Sequence, residues 1–367
     1  MGSHRTELYH RASPTPLREH WQRARRLLPY VATAWGAATV AVSRLSGLRS
    51  GPFLLQDVLA ATICALVMGL AMSWFETRPV RAGYLNSRPW LDLALRTFLY
   101  ALVVAATALI VRQFLLTAFP REPLVHIGRR VVDVFVNREA RRFLFLMLIA
   151  SFALNFVLHL RLVLGPDHLY ALFTGKYRLP VEEERLFLFI DLVDSTATAQ
   201  RLGALEFTHF KHDFFSDLAA PIAASGGAIV QYVGDEVMLT WPSDAITAEA
   251  SPLTFIQRAR RRLGRRRAYY EARYGAVPTF RSGAHAGKVV VAEVGDLRRD
   301  IVYSGDVVNA AARLLQSCRP EGCESLVSRE ALALLCPLPQ GVRLRERAGL
   351  LLRGRSAELA VVELEFA

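Results

Sequence analysis

The chain has 367 residues, 52% of them hydrophobic, with 45 Lys and Arg and a formal net charge of +12. That length exceeds one ordinary domain, and the apolar residues concentrate before about residue 165, which excludes a uniform soluble globule. Four scattered cysteines exclude a disulfide framework, and the single C-x4-C of Cys318 and Cys323 lacks the second pair that a zinc site needs.

In chain order, a basic tail (1–26) carries Arg5, Arg11, Arg18, Arg23, Arg25 and Arg26. Four apolar stretches follow, at 27–43, 58–75, 97–111 and 143–158. Each approaches the roughly 20 residues of helix that a hydrocarbon core requires. Arg96 and Arg112 flank the third closely enough to snorkel, and the fourth stops at His159 and Arg161. The pattern predicts a helical membrane domain over 27–164 with four spans. The basic tail and the basic loop of Arg78, Arg81 and Arg88 place both on the cytoplasmic side of a cell (inner) membrane. Four spans return the rest of the chain to the cytoplasm. One segment opposes this: residues 121–142 carry six arginines on the side expected to be external. The positive charge is assigned to anionic lipid, and the bilayer is the expected partner.

A linker over 165–184 begins with Gly165-Pro166-Asp167, which ends the fourth apolar helix. Gly175 and Pro180 prevent it from forming one continuous helix. It is read as a coupling segment or as plain connection.

The remaining residues, 185–367, have the mixture of an α/β domain. The apolar run 186–190 reads as a strand ending at Asp191, and Asp194, Ser195 and Thr196 open a helix. A carboxylate at a strand end can hold a divalent cation, with Leu192 beside it, while N–H groups at the helix start can cradle phosphates. Next, Gly226-Gly227 reads as the loop end of a hairpin, and Gly234-Asp235 as a tight turn between two β-type runs. Such a hairpin could bring Asp235 beside Asp191, and two converging carboxylates are the minimum for two-metal phosphoryl chemistry. Finally, Gly305-Asp306 starts a helix with Asn309 and Arg313 four residues apart on one face. The three alanines between them keep that surface low, and the amide and guanidinium suit a ribose and a phosphate.

Taken together, F-x-D-x-x-x-S-T, G-G-x6-G-D and G-D-x-V-N-x-A-A-R resemble the class III adenylate/guanylate cyclase family, over roughly residues 184–366. The resemblance implies a ferredoxin-like α/β catalytic domain working as a homodimer, its active site shared between protomers. It implies metal ligation by Asp191, Leu192 and Asp235, with two Mg2+ or Mn2+ ions per site. Phosphates would meet Asp194, Ser195, Thr196 and Arg353, the last from the LLRGR run; Asn309 would orient the ribose and Arg313 stabilise transition-state charge. The implied reaction converts ATP to 3',5'-cyclic AMP and pyrophosphate. Two positions depart from the family's pattern. The base-reading positions, usually Lys with Asp or Thr in adenylate cyclases, hold Gln231 and Val302. Gln can present a donor or an acceptor to a base edge, and Val neither.

The alternatives are a guanylate or other purine nucleotide cyclase, a non-catalytic cyclase-like scaffold, and a diguanylate cyclase suggested by V-G-D-E-V. The Asn309/Arg313 helix argues against the last. Seven arginines between 258 and 267, followed by Tyr269 and Tyr270, read as a solvated helix face rather than a nucleic-acid surface, and no nucleic acid is expected.

Overall fold

The computed structural model describes residues 164–366 except 298, 336 and 352–357, together with isolated positions between 94 and 160. The chain divides into two compact units, Met1–Val163 and Leu164–Ala367. Among the described residues no helix is long and apolar enough to cross a membrane. The basic tail lies outside the described residues, as do the four expected spans apart from isolated positions.

In the second unit, α1 (Pro166–Thr174) has proline in its first turn, where a missing N–H costs nothing, and ends at Gly175 in the left-handed conformation. The interrupted linker is therefore a helix and a turn. The catalytic-type core begins with β1 (Val181–Leu192), followed by α2 (Ser195–Leu202), α3 (Ala204–Ala224), β2 (Ala228–Val233) and β3 (Glu236–Pro242). Two helices, α4 (Pro252–Arg265) and α5 (Arg267–Tyr274), lead to the long β4 (Phe280–Val294) and its partner β5 (Asp300–Ser304). Then come α6 (Asp306–Cys318), β6 (Ser325–Ser328), α7 (Arg329–Leu335), β7 (Val342–Glu346) and β8 (Val361–Phe366). The sheet runs β2-β3-β1-β4-β6-β8-β7, with β5 paired to β4 off that path. In its first four strands each runs antiparallel to its neighbour, with helices after β1 and β3. This is the ferredoxin-like arrangement expected for this half of the chain.

The strand β1 is apolar without alternation because both of its faces are covered. Leu186, Leu188 and Ile190 enter one core with Phe210, Phe214 and Leu218 of α3. Phe187 and Phe189 enter a second core with Met238 of β3 and Ala311 and Leu315 of α6. Asp191 continues the second row, where the strand leaves the core.

Two local expectations are corrected. Gly226-Gly227 does not close a hairpin; it ends α3, with Gly226 left-handed and the Gly227 N–H donating to Ile222 O at 3.1 Å. Gly227 is tied to its place by the Trp241 ring, which occupies the space of a Cβ. The alanines of α6 do not expose a low surface. Ala310 and Ala311 are fully buried, and a methyl on Gly283 of β4 would overlap the Leu315 backbone nitrogen. The small residues let α6 ride directly on β4.

The arginine run is largely structural. Arg262 and Arg266 both pair with Asp217, at 3.0 and 2.8 Å, and Tyr270 Oη donates to the same carboxylate at 2.7 Å. Arg258 donates to Ala224 O at 2.6 Å, and Arg260 pairs with Glu324 and lies over the Phe280 and Phe366 rings. Arg261, Arg265 and Arg267 remain exposed. Asp217 is only 1% exposed. Asp217→Ala leaves two half-buried guanidinium groups without their counter-ion, and urea unfolding should show a loss of about 3–5 kcal/mol.

Candidate active site

Three elements deliver the carboxylates. Asp191 is paired across the sheet with Glu236 of β3 on one side and with Arg281 of β4 on the other. Asp235 occupies the two-residue turn between β2 and β3 beside Gly234, whose φ of 64° is the left-handed geometry that such a turn requires. From α3, Lys211 Nζ donates to Gly234 O at 3.3 Å, and the Phe215 ring packs on Tyr232 of β2 with centroids 4.8 Å apart. The hairpin is thus held against α3 just where Asp235 projects.

The Asp191 and Asp235 carboxyls lie close enough to perturb each other. Burial, then the neighbouring Asp235 carboxyl, push the Asp191 carboxyl up from 3.8 to about 6, while the Leu192 N–H and Arg281 pull it down. Glu236 is also raised, first by burial and then by both aspartates. Two neighbouring carboxylates repel each other when both are charged, and a divalent cation relieves that repulsion. The hard oxygen donors fit Mg2+ or Mn2+. Glu236 does not complete a three-carboxylate cluster of metal-holding geometry among the described residues.

Beside the pair, Asp194 precedes α2 with φ 52°, the one non-glycine residue in the left-handed region among those described. No side chain caps the helix, and Thr198 N–H donates to Asp194 O at 2.9 Å as its first turn. That conformation turns the chain from β1 so that the first N–H groups, at Ser195 and Thr196, face outward with the positive end of the helix. Strain of this kind clusters at ligand sites.

On α6, Asn309 is exposed and Arg313 half-buried, opposite the face that buries Ala310, Ala311 and Leu314. Among the described residues, no hydrogen bond or ion pair joins either one to Asp191 or Asp235. Gln231 is exposed on β2, paired with Met238 next to a register shift, and Val302 is exposed on β5, paired with Ala292. Arg353 lies outside the described residues. Arg281 is the residue that sequence reading passed over. Its signal was modest, a basic residue opening β4, and only the register places it opposite Asp191.

No family model matches the chain. It is 39% identical over 209 residues to adenylate cyclase 2 of Rhizobium meliloti (strain 1021), covering 57% of each. It is 25% identical over 182 residues to an adenylate cyclase of Anabaena cylindrica, covering 48% of this chain and 36% of that one. Over that stretch the C-terminal unit is similar to adenylate cyclases, the family that its motifs resemble. The chain spans less than two thirds of the length of either relative. Among solved structures, the adenylyl cyclase CyaB from P. aeruginosa aligns with a TM-score of 0.45 at 19% identity, over 52% of this chain and 97% of that one.

The carboxylate pair makes a sharp stability prediction. The folded value of Asp191 lies above its unfolded value of 3.8, so the metal-free protein loses stability as pH rises from there through about 6. Asp191→Asn should therefore raise the metal-free Tm at pH 7.5. Mn2+ at a hundred times its Kd should stabilise the parent by about 2.7 kcal/mol. For a domain of this size each kcal/mol is roughly 2–4 °C in Tm. The Asn variant should lose most of that increment. An equal Mn2+ shift in both proteins would place the cation elsewhere.

Proposed function

We propose that this chain is a membrane-bound adenylate cyclase, converting ATP to 3',5'-cyclic AMP and pyrophosphate at a site shared by two copies of the chain. The observation that carries this reading is the close pair of Asp191 and Asp235 carboxyls beside the uncapped start of α2. The adenylate cyclase relatives favour ATP, and the apolar stretches before residue 165 support anchoring in a cell membrane with the catalytic unit on the cytoplasmic side.

Asp191 and Asp235, with the Leu192 backbone, are the residues that would hold two Mg2+ or Mn2+ ions. Bound there, the ions supply charge neutralisation for the triphosphate and acidity at the ribose 3'-hydroxyl. The chain's own groups do the positioning. The Ser195 and Thr196 N–H groups donate to phosphate oxygens at the start of α2. Arg281 adds a cation on the opposite side of Asp191. Asn309 and Arg313 of the second copy approach from the other side, Asn309 orienting the ribose and Arg313 meeting charge on the α-phosphate as the 3'-oxygen attacks and pyrophosphate leaves. Fixed donors aimed at developing charge contribute most where water is excluded, and a dimer interface provides that exclusion. The exposed apolar residues Tyr232 and Val233 on β2, with Val290, Val294 and Val302 on the β4–β5 pair, suit burial against a second copy.

Purified full-length protein given ATP or GTP with Mg2+ or Mn2+ should yield cyclic AMP as the main product, identified by mass spectrometry. Cyclic GMP as the main product would replace ATP by GTP, and no cyclic product from any triphosphate would sink the reading. Gln231→Lys with Val302→Asp should sharpen the preference for ATP over GTP.

Asp191→Ala and Arg313→Ala homodimers should each fall by roughly hundredfold or more, the scale of losing a transition-state charge partner. Co-expressed, the two lesions segregate into one doubly damaged site and one intact site. Activity should return to about half of the parent per heterodimer if the sites act independently. Heterodimers that form but stay inactive overturn the shared site.

A further inference from the structure

The two thiols that the catalytic reading leaves unused are brought together by the end of α6. Gly322, with φ 64°, follows the helix in the left-handed conformation. Cys323 N–H donates to Cys318 O at 3.0 Å and Gly322 N–H to Arg319 O at 3.3 Å. That pair of bonds is the Schellman motif, six-to-one around five-to-two, which brings the flanking side chains into contact over the helix end. An apolar pair normally makes that contact. Here it is made by two cysteines, both free, Cys318 fully buried and Cys323 3% exposed.

They share one core with Ala310 and Leu314 of α6, and Cys323 Sγ donates to Cys318 O at 3.7 Å. Cys318 Sγ also donates to Ser282 O of β4 at 3.3 Å and to Leu314 O at 3.4 Å. The neighbouring Cys318 thiol holds Cys323 below its ordinary value, with the Arg347 guanidinium acting the same way, and the Cys323 thiol together with burial pushes Cys318 up. Cys323 is thus the more acidic thiol of the pair, beneath the exposed turn 319–322.

We propose that Cys318 and Cys323 are a peroxide-oxidised dithiol whose disulfide switches off the helix carrying Asn309 and Arg313. The Cys323 thiolate attacks a peroxide oxygen, forming an S–O bond as the O–O bond breaks and hydroxide leaves, to be protonated to water. Cys318 sulfur then attacks the sulfenic sulfur. The S–S bond forms, the S–O bond breaks, and the departing hydroxide takes the Cys318 proton as a second water. Two thiols lose two electrons and the peroxide gains them.

The consequence follows from the packing. Oxidation draws Cys318 Sγ away from Ser282 O and removes its donor. The contact between α6 and β4 has no slack, because Gly283 already meets the Leu315 backbone. A shift at Cys318 therefore moves Arg313, five residues earlier on the same helix, relative to β4 and its Arg281. The switch rests on the cyclase reading above; the disulfide itself does not.

The full-length protein is treated with hydrogen peroxide, alkylated and mapped by mass spectrometry, with cyclase turnover followed in parallel. The expected result is one peptide pair joined through Cys318 and Cys323 with loss of two hydrogens. Turnover should fall severalfold and return with dithiothreitol, and Cys323→Ser or Cys323→Ala should keep its turnover under peroxide. Failure to find the joined peptides, or oxidation only at Cys64 or Cys336, overturns the dithiol. Joined peptides with unchanged turnover overturn the switch. If the reduced protein makes no cyclic nucleotide, the cyclase reading fails, while the peptide map still decides the dithiol.

Discussion

Burial on both faces of β1 constrains everything around it. A strand covered on one side could alternate apolar and polar residues; this one cannot, and Leu186 through Ile190 divide between two cores. One core is roofed by α3, α4 and α5, the other by α6. The first residue beyond that doubly buried stretch is Asp191, which stays half in the low-dielectric interior. Its carboxyl is raised because the strand that carries it cannot move outward without opening both cores. The acidity of the site is a by-product of how the sheet is covered.

The second constraint is the closeness of α6 to β4. Gly283 and Gly287 remove side chains from the strand, and Ala310 and Ala311 remove them from the helix. With so little between them, the helix position is dictated by backbone contact rather than by adjustable side chains. Asn309 and Arg313 therefore project from a rigid element, which suits the positioning role proposed for them. The same closeness makes the far end of α6 a sensitive place for chemistry at Cys318.

The arginine-rich segment shows how composition can mislead. Seven arginines in ten residues look like a surface for anionic partners. Four of them instead serve the fold: two pair with Asp217 in the interior, one caps the end of α3, and one stacks between two phenylalanines. An arginine can do this because its aliphatic stem packs while its planar head satisfies several acceptors.

Local sequence chemistry determined the strand into Asp191, the Gly234-Asp235 turn and the helix opened by Gly305-Asp306, because each depends on nearest neighbours: an apolar run, a left-handed glycine, a helix start. It also placed the change of character near residue 165, which depends on composition alone. The tertiary structure decided what depends on distant partners. Arg281 stands across from Asp191 only because β1 and β4 pair in one register, ninety residues apart in the chain. Gly226-Gly227 ends a helix rather than a hairpin because Trp241 fills the space a side chain would need. The alanines of α6 face inward because Gly283 is there to receive them, and no periodicity within the helix announces a glycine on another strand. The thiols of Cys318 and Cys323 meet because a helix end closes between them, a contact that five residues of spacing permit but do not impose.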